Sequence, residues 1–177
     1  ERNLNGFVGV SKPWGYSQLN FTSFNQSLGL VEGDRDVNGN FTQLKNANGV
    51  EEEVTVSDKD LNGYKLAIPI QNINHVGISN TTNLYLKGTR LQVNTGYQRN
   101  QRKEYGDVLN ENLENLYFDL TSFNYNLTYF LPEKNNWQTS VGTSGMTQNN
   151  KNRGVEFLIP EYSLFDWGFF AFAKRHF

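Results

Sequence analysis

The sequence predicts an all-β chain, an antiparallel up-and-down transmembrane β-barrel of which about seven strands are present and which belongs to a larger barrel. Three observations predict it. Apolar residues recur at every second position through a series of long segments. Mean hydropathy is low at −0.63 although aromatic residues make up 14% of the chain, as expected where only alternate residues meet lipid. The connections alternate in strict order between tight turns and long polar excursions. A helical membrane protein is excluded by the same residues, since no run approaches the ~18 consecutive apolar positions that a spanning helix needs.

The strands follow in order along the chain. Segments 4 to 10, 16 to 29 (Leu19, Phe21) and 74 to 86 (Val76, Ile78, Leu84, Leu86) carry the pattern in its weaker form. It is clearest over 89 to 103, where Leu91, Val93, Thr95 and Tyr97 oppose Arg90, Gln92, Asn94, Gly96, Gln98, Asn100 and Arg102. Segment 116 to 131 sets Phe123, Tyr125, Leu127, Tyr129 and Leu131 against Ser122, Asn124, Asn126 and Thr128, a run long enough for the ~9–11 residues that a tilted strand uses to cross lipid. Segment 137 to 147 alternates Trp137, Thr139, Val141 and Thr143 with Gln138, Ser140, Gly142 and Ser144. Segment 163 to 173 puts Phe165, Trp167, Phe169 and Ala171 on one side, with Phe170 and Phe172 on the other.

Tight turns are expected at Ser11–Gly15, Lys87–Gly88 and Pro132–Asn136, and long loops at 31 to 72, 104 to 115 and 148 to 162. In a meander every tight turn then falls at one end and every long loop at the other, the arrangement of outer-membrane barrels. Trp14, Tyr16, Tyr129, Phe130 and Trp137 lie beside the tight turns as an interfacial girdle. A soluble all-β binding module would also alternate. Its strands, however, usually run ~3–10 residues with short connections, against more than ten residues and a loop of about forty here.

Seven strands do not close a bacterial barrel, which takes an even number from eight upward. Residues 1–177 are therefore expected to be a partial barrel domain whose remaining strands lie elsewhere. Phe177 is expected not to be a true carboxy terminus, because counting back by twos through Arg175, Ala173, Ala171 and Phe169 aims a charge at lipid.

Other chemistry finds little footing. There is no Cys, so no disulfide, thiol nucleophile or thiolate metal site. A net charge of −2 without a basic stripe argues against nucleic acid as a partner. His75 and His176 have no ligand partner at metal spacing, and no nucleophile elbow, zinc-protease motif or phosphate loop occurs, so neither an enzyme nor a cofactor is expected. The acidic stretches Glu32–Asp36 and Glu51–Glu53, with Asp58 and Asp60, read as solvated loop charge rather than a Ca²⁺ site.

Four blocks carry a family resemblance. They are Gly15-Tyr16-Ser17 through Gln26-Ser27-Leu28-Gly29-Leu30-Val31-Glu32-Gly33-Asp34-Arg35; Ile68-Pro69-Ile70-Gln71-Asn72-Ile73-Asn74-His75; Gly96-Tyr97-Gln98-Arg99-Asn100-Gln101-Arg102-Lys103-Glu104-Tyr105-Gly106; and Gly142 to Asn152, followed by Leu158-Ile159-Pro160-Glu161-Tyr162 and Asp166-Trp167-Gly168. Together they resemble the TonB-dependent receptors of the Bacteroidetes kind. The resemblance implies a barrel of 22 strands around an N-terminal plug in the outer membrane of a Gram-negative bacterium, with this chain as a middle portion. It also implies uptake of a scarce nutrient, such as an iron–siderophore or similar metal chelate, with energy relayed by the TonB complex. The plug and the TonB-contacting segment are not in this sequence. A plugless outer-membrane porin would share the same wall.

For a small nutrient ligand, the candidate residues are polar inward positions toward the long loops: Gln98, Asn100 and Arg102 on one strand, Gln148 and Asn150 on another. Arg102 suits an anionic group because its planar fork grips carboxylates bidentately.

Overall fold

The computed structural model describes residues 1–30 and 33–176. Val31, Glu32 and Phe177 lie outside them, and with these the expectation about the carboxy terminus, two residues of the first resemblance block and the first residue of the acidic stretch Glu32–Asp36. The chain is all-β. Its strands are β1 (Arg2–Lys12), β2 (Gly15–Gly29), β3 (Thr42–Ala47), β4 (Val50–Thr55), β5 (Ile70–Leu86), β6 (Thr89–Tyr105), β7 (Leu116–Phe130), β8 (Trp137–Asn152) and β9 (Tyr162–Arg175). Seven of them form one antiparallel sheet in the order β1-β2-β5-β6-β7-β8-β9, and the sheet is not closed.

Each expected strand is present, extended by one to five residues at most ends. The long connections are shorter for that reason: β5 begins at Ile70 and β8 runs on to Asn152. The connection after β2 is not the structureless loop that the alternation suggested. It holds the separate hairpin β3-β4 and one helical turn, α1 (Asp58–Leu61), which Ser57 caps by accepting from the Asp60 amide. Asn48 and Gly49 both take positive φ at the tip of that hairpin, the backbone twist that a two-residue turn between twisted strands requires. Asn135 and Asn136 do the same between β7 and β8, where Lys134 and Trp137 exchange backbone hydrogen bonds of 3.1 and 2.9 Å.

The ladder is continuous, so side chains paired across it share a face. One row runs Leu84, Leu91, Tyr129, Val141, Ala171, and the next Thr82, Val93, Leu127, Thr143, Phe169. Further toward the long loops comes Phe21, Ile78, Tyr97, Phe123, Thr147, Phe165. These rows make an apolar face. The opposite, polar face carries Gln92, Asn94, Gln98 and Asn100 of β6 against Thr128, Asn126, Ser122 and Leu120 of β7.

Burial runs against the usual order. Among the described residues the only buried hydrophobic one is Val108, whereas Phe165 and Phe169 are 76% and 74% exposed. Of the buried polar and charged residues, Gln71, Asn83, Ser122, Thr128, Ser140 and Asn150 lie on the polar face, and Asp119, near the long-loop end, on the other. A sheet in water would forgo roughly 25 cal/mol for each Å² of apolar surface left uncovered in this way. The apolar face needs a non-aqueous neighbour.

Several polar groups that fall on that face are satisfied within it. Ser17 Oγ and Thr82 Oγ1 lie 2.8 Å apart, Asn80 Nδ2 donates to Ser17 Oγ and to the Gln18 carbonyl at 3.2 Å, and Thr82 Oγ1 donates to Asn80 Oδ1 at 2.8 Å. Thr143 Oγ1 donates to the Gly168 carbonyl at 2.9 Å. Such closure is what a hydrocarbon environment demands of a hydroxyl or amide.

Candidate functional site

Two glycines open the polar face. Gly77 on β5 and Gly96 on β6 leave the sheet without side chains there, and a methyl group at Gly96 would lie 2.7 Å from Asn124 Oδ1. The result is an open trough of about 600 Å³. Its polar-face lining includes Asn20, Thr22, His75, Asn94, Gln98 and Asn124, with no charged side chain. Amides that both donate and accept line a surface able to hold polar, uncharged groups.

All five residues expected from the sequence lie on this face, in neighbouring rows toward the long-loop end. Gln98 of β6, Ser122 of β7 and Gln148 of β8 form one row, and His75 of β5, Asn100, Leu120 and Asn150 the next. Because strands stand ~4.8 Å apart, the β6 and β8 members of a row are about 10 Å apart with β7 between them. The two groups flank one strand rather than converging on a point.

Their bonding differs. Gln148 Nε2 donates to Ser122 Oγ at 2.8 Å and its Oε1 accepts from the Tyr162 hydroxyl at 2.8 Å, so both ends of its amide are fixed. Asn150 is buried and Asn100 half-buried, and Asn100 Nδ2 stands 3.4 Å from His75 Nδ1. Gln98 is exposed in the trough. Arg102 does not present a vacant fork: its Nη2 donates to Glu104 Oε1 at 2.6 Å, and the same oxygen accepts from Gln71 Nε2 at 2.6 Å. An anionic ligand at Arg102 would have to displace or supplement Glu104.

Three residues outside the ligand candidates help to shape the face. His75, weighed from the sequence only as a metal ligand, lies on β5 in the row of Asn100. Ser122 is buried between the two groups of candidates. At the tight-turn end Asn83 is only 1% exposed, its Oδ1 accepting from Arg90 Nη1 at 3.3 Å while the Arg90 guanidinium stacks 3.7 Å from the Phe130 ring centroid. A change in strand bounds is hard to read from sequence where apolar and amide residues are mixed, as in Gln71-Asn72-Ile73-Asn74.

The acidic stretches do not assemble. Glu51, Glu52 and Glu53 pair with Asn46, Lys45 and Leu44 along the β3-β4 hairpin, so successive carboxylates point to opposite faces. Asp36 is engaged locally, accepting from the Asn38 and Asn40 amides at 2.9 Å and from Asn40 Nδ2 at 2.9 Å. These bonds, Asn40 first, hold its carboxyl below the usual carboxylate value. Among the described residues no three His, Cys, Asp or Glu side chains are grouped as a metal site would require.

Comparison with protein-family models, with curated proteins and with solved structures finds no match. The reading of function therefore rests on the geometry and on the sequence resemblance.

Proposed function

We propose that the sheet is part of the wall of an outer-membrane β-barrel, and that the barrel belongs to a TonB-dependent receptor that takes up a scarce nutrient. The observation that carries the membrane assignment is the inverted polarity of the sheet: aromatic and aliphatic side chains exposed on one face, amides and hydroxyls buried on the other. From Phe123 to Leu131 the apolar positions of β7 and its extension span nine residues, roughly 30 Å of strand and ~23 Å in height at a tilt of ~40°, close to the ~25 Å apolar band of such barrels. No helix of the described residues is long and apolar enough to cross a membrane, which leaves strands as the crossing elements in this proposal.

In this reading the polar face lines the lumen, where the family resemblance implies contact with a plug. Gln98, Asn100, Arg102, Gln148 and Asn150 lie toward the long loops, the side from which a nutrient would enter. The expected cargo is an iron–siderophore or a similar metal chelate. Chemistry on this chain is limited to holding and orienting such a ligand by hydrogen bonds. The energy for import would come through the TonB complex and through parts of the receptor outside this sequence.

Uptake of a labelled ferric siderophore by cells carrying the full-length protein tests the proposal against a plugless porin, which shares the wall. The receptor reading expects uptake that saturates and that collapses when a protonophore removes the inner-membrane gradient. Passive uptake unaffected by the protonophore would favour the porin. Arg102→Ala is expected to weaken binding of an anionic chelate several-fold with barrel assembly intact. Unchanged affinity would remove Arg102 from the ligand surface.

A further inference from the structure

The apolar face does not stay apolar along the whole length of the strands. Along β6 its positions run Leu91, Val93, Thr95, Tyr97 and then Arg99, Gln101, Lys103; along β8 they run Val141, Thr143, Gly145, Thr147 and then Asn149, Lys151, with Arg153 next in phase. On β7 between them Phe123 gives way to Thr121, Asp119 and Tyr117. From β2 to β9 the rows between Leu84 and Ile78 contain no charged residue on this face; on β1, Lys12 stands in the Leu84 row at the tight-turn end. Toward the long loops the charges begin abruptly, one row beyond Tyr97 and Phe123.

The centre of this belt has more positive than negative charge. Arg99 grips Asp119 with both Nε and Nη2, at 2.8 and 2.7 Å, and Arg153 Nη2 lies 3.1 Å from the same carboxylate. Asp119 is buried, while the Arg99 and Arg153 side chains are 41% and 56% exposed. Two guanidiniums against one carboxylate leave one positive charge uncompensated, and each guanidinium keeps N–H donors that Asp119 does not use. Lys103 and Lys151 flank the centre, each paired with a loop carboxylate, Glu114 at 2.5 Å and Glu161 at 3.2 Å. Tyr117 sits among them, its ring centroid 4.4 Å from Lys103 Nζ and 5.9 Å from the Arg153 guanidinium.

We propose that Arg99 and Arg153 bind the phosphate of an outer-leaflet lipid headgroup, with the lipid's acyl chains lying on the apolar rows below. The inference rests on the membrane reading above and adds a partner to it. The register supports this occupant because Arg99 stands one row above the last apolar row, and Arg153, two rows farther along, reaches back to the carboxylate of Asp119 in the row between them, so both guanidiniums lie just beyond the apolar band, the level at which the phosphates of an embedded amphiphile meet the chain. Planar guanidiniums match phosphate oxygens bidentately and tolerate partial desolvation better than ammonium groups do. A network serving only to tie β6, β7 and β8 together would not need its donors on the outward face at this boundary.

The test uses the full-length protein in non-ionic detergent and three probes: lipid A bearing two phosphates, its dephosphorylated form, and inorganic phosphate. Wild type is expected to bind the phosphorylated lipid about tenfold or more tightly than the dephosphorylated one. Arg99→Gln/Arg153→Gln is expected to remove that preference, and Arg102→Gln, on the opposite face, to leave it. If the double variant does not assemble, Arg153→Gln alone retains the Arg99–Asp119 pair and is expected to lose part of the preference. Equal binding of both lipids by wild type, or a preference that survives in the Arg99 and Arg153 variants, overturns the proposal. So does full competition by low-millimolar inorganic phosphate, which would mark a free-anion site. Flotation of wild type with vesicles after a carbonate wash separates the two layers: failure to float overturns the membrane reading itself, whereas flotation without phosphate preference overturns only the lipid site.

Discussion

Single residues hold the turns and loop ends, and there the chemistry is local. Gly15 has φ near +142°, and a Cβ at that position would lie 1.9 Å from the Asn83 carbonyl oxygen. Gly15→Ala is accordingly expected to destabilise the β1-β2 end of the sheet by about 2 kcal/mol or more, seen as a lower urea midpoint with an unchanged slope. Asp36 gives a pH-dependent case. Its carboxyl is held below the ordinary value of 3.8, mainly by Asn40, so its stabilising contribution is present above that value and is lost as pH falls through the lowered one. The Asn38 and Asn40 amide resonances should therefore move together on acidification below about pH 4, and in Asp36→Asn that titration should be absent. Movement of these resonances only near neutral pH would exclude Asp36 as their partner. Arg102 shows what residue identity alone leaves hidden: its row and face followed from alternation, but Glu104, two positions along the same strand, already occupies its guanidinium.

At the scale of elements, most of the fold was legible because the side-chain period of a strand leaves a direct imprint on the sequence. Segment 116 to 131 was read almost to its ends, since from Ser122 to Tyr129 apolar or aromatic residues alternate with amides and hydroxyls. The hairpin β3-β4 escaped the same reading. Thr42-Gln43-Leu44-Lys45-Asn46-Ala47 and Val50-Glu51-Glu52-Glu53-Val54-Thr55 have too few apolar residues to mark a face, and both strands are largely exposed. The signal that was available is the turn itself, Asn48-Gly49, the dipeptide best suited to positive φ at both central positions. The two faces of β7 offer a paired prediction. Leu127→Arg, at the middle of the apolar band, is expected to cost ~2–4 kcal/mol in a lipid bilayer, and Asn126→Arg, one residue away on the polar face, no more than ~1 kcal/mol. Equilibrium unfolding in lipid vesicles measures both; equal costs would contradict the facing of β7.

For the whole molecule, the order of strands, the tight turns at one end and the excursions at the other followed from the sequence, as did the partition of the faces. The partners across the ladder did not, because each row joins residues far apart in the chain, Phe21 and Phe165 in one case, whose pairing depends on turn lengths and on where each strand begins. The charged belt was overlooked for that reason: Arg99, Asp119 and Lys151 meet only once the register of β6, β7 and β8 is known. The central claim is that the sheet stands in a bilayer with its aromatic face outward. These 177 residues contain no cysteine, so single cysteines can be introduced one at a time from position 122 to position 129, in a full-length protein whose other residues are cleared of cysteine, in lipid vesicles. With a spin label at each site, oxygen collision rates should peak at 123, 125, 127 and 129, and collisions with a water-soluble nickel chelate at 122, 124, 126 and 128. Loss of this period of two, or free access of the chelate to 125 and 127, would contradict the account.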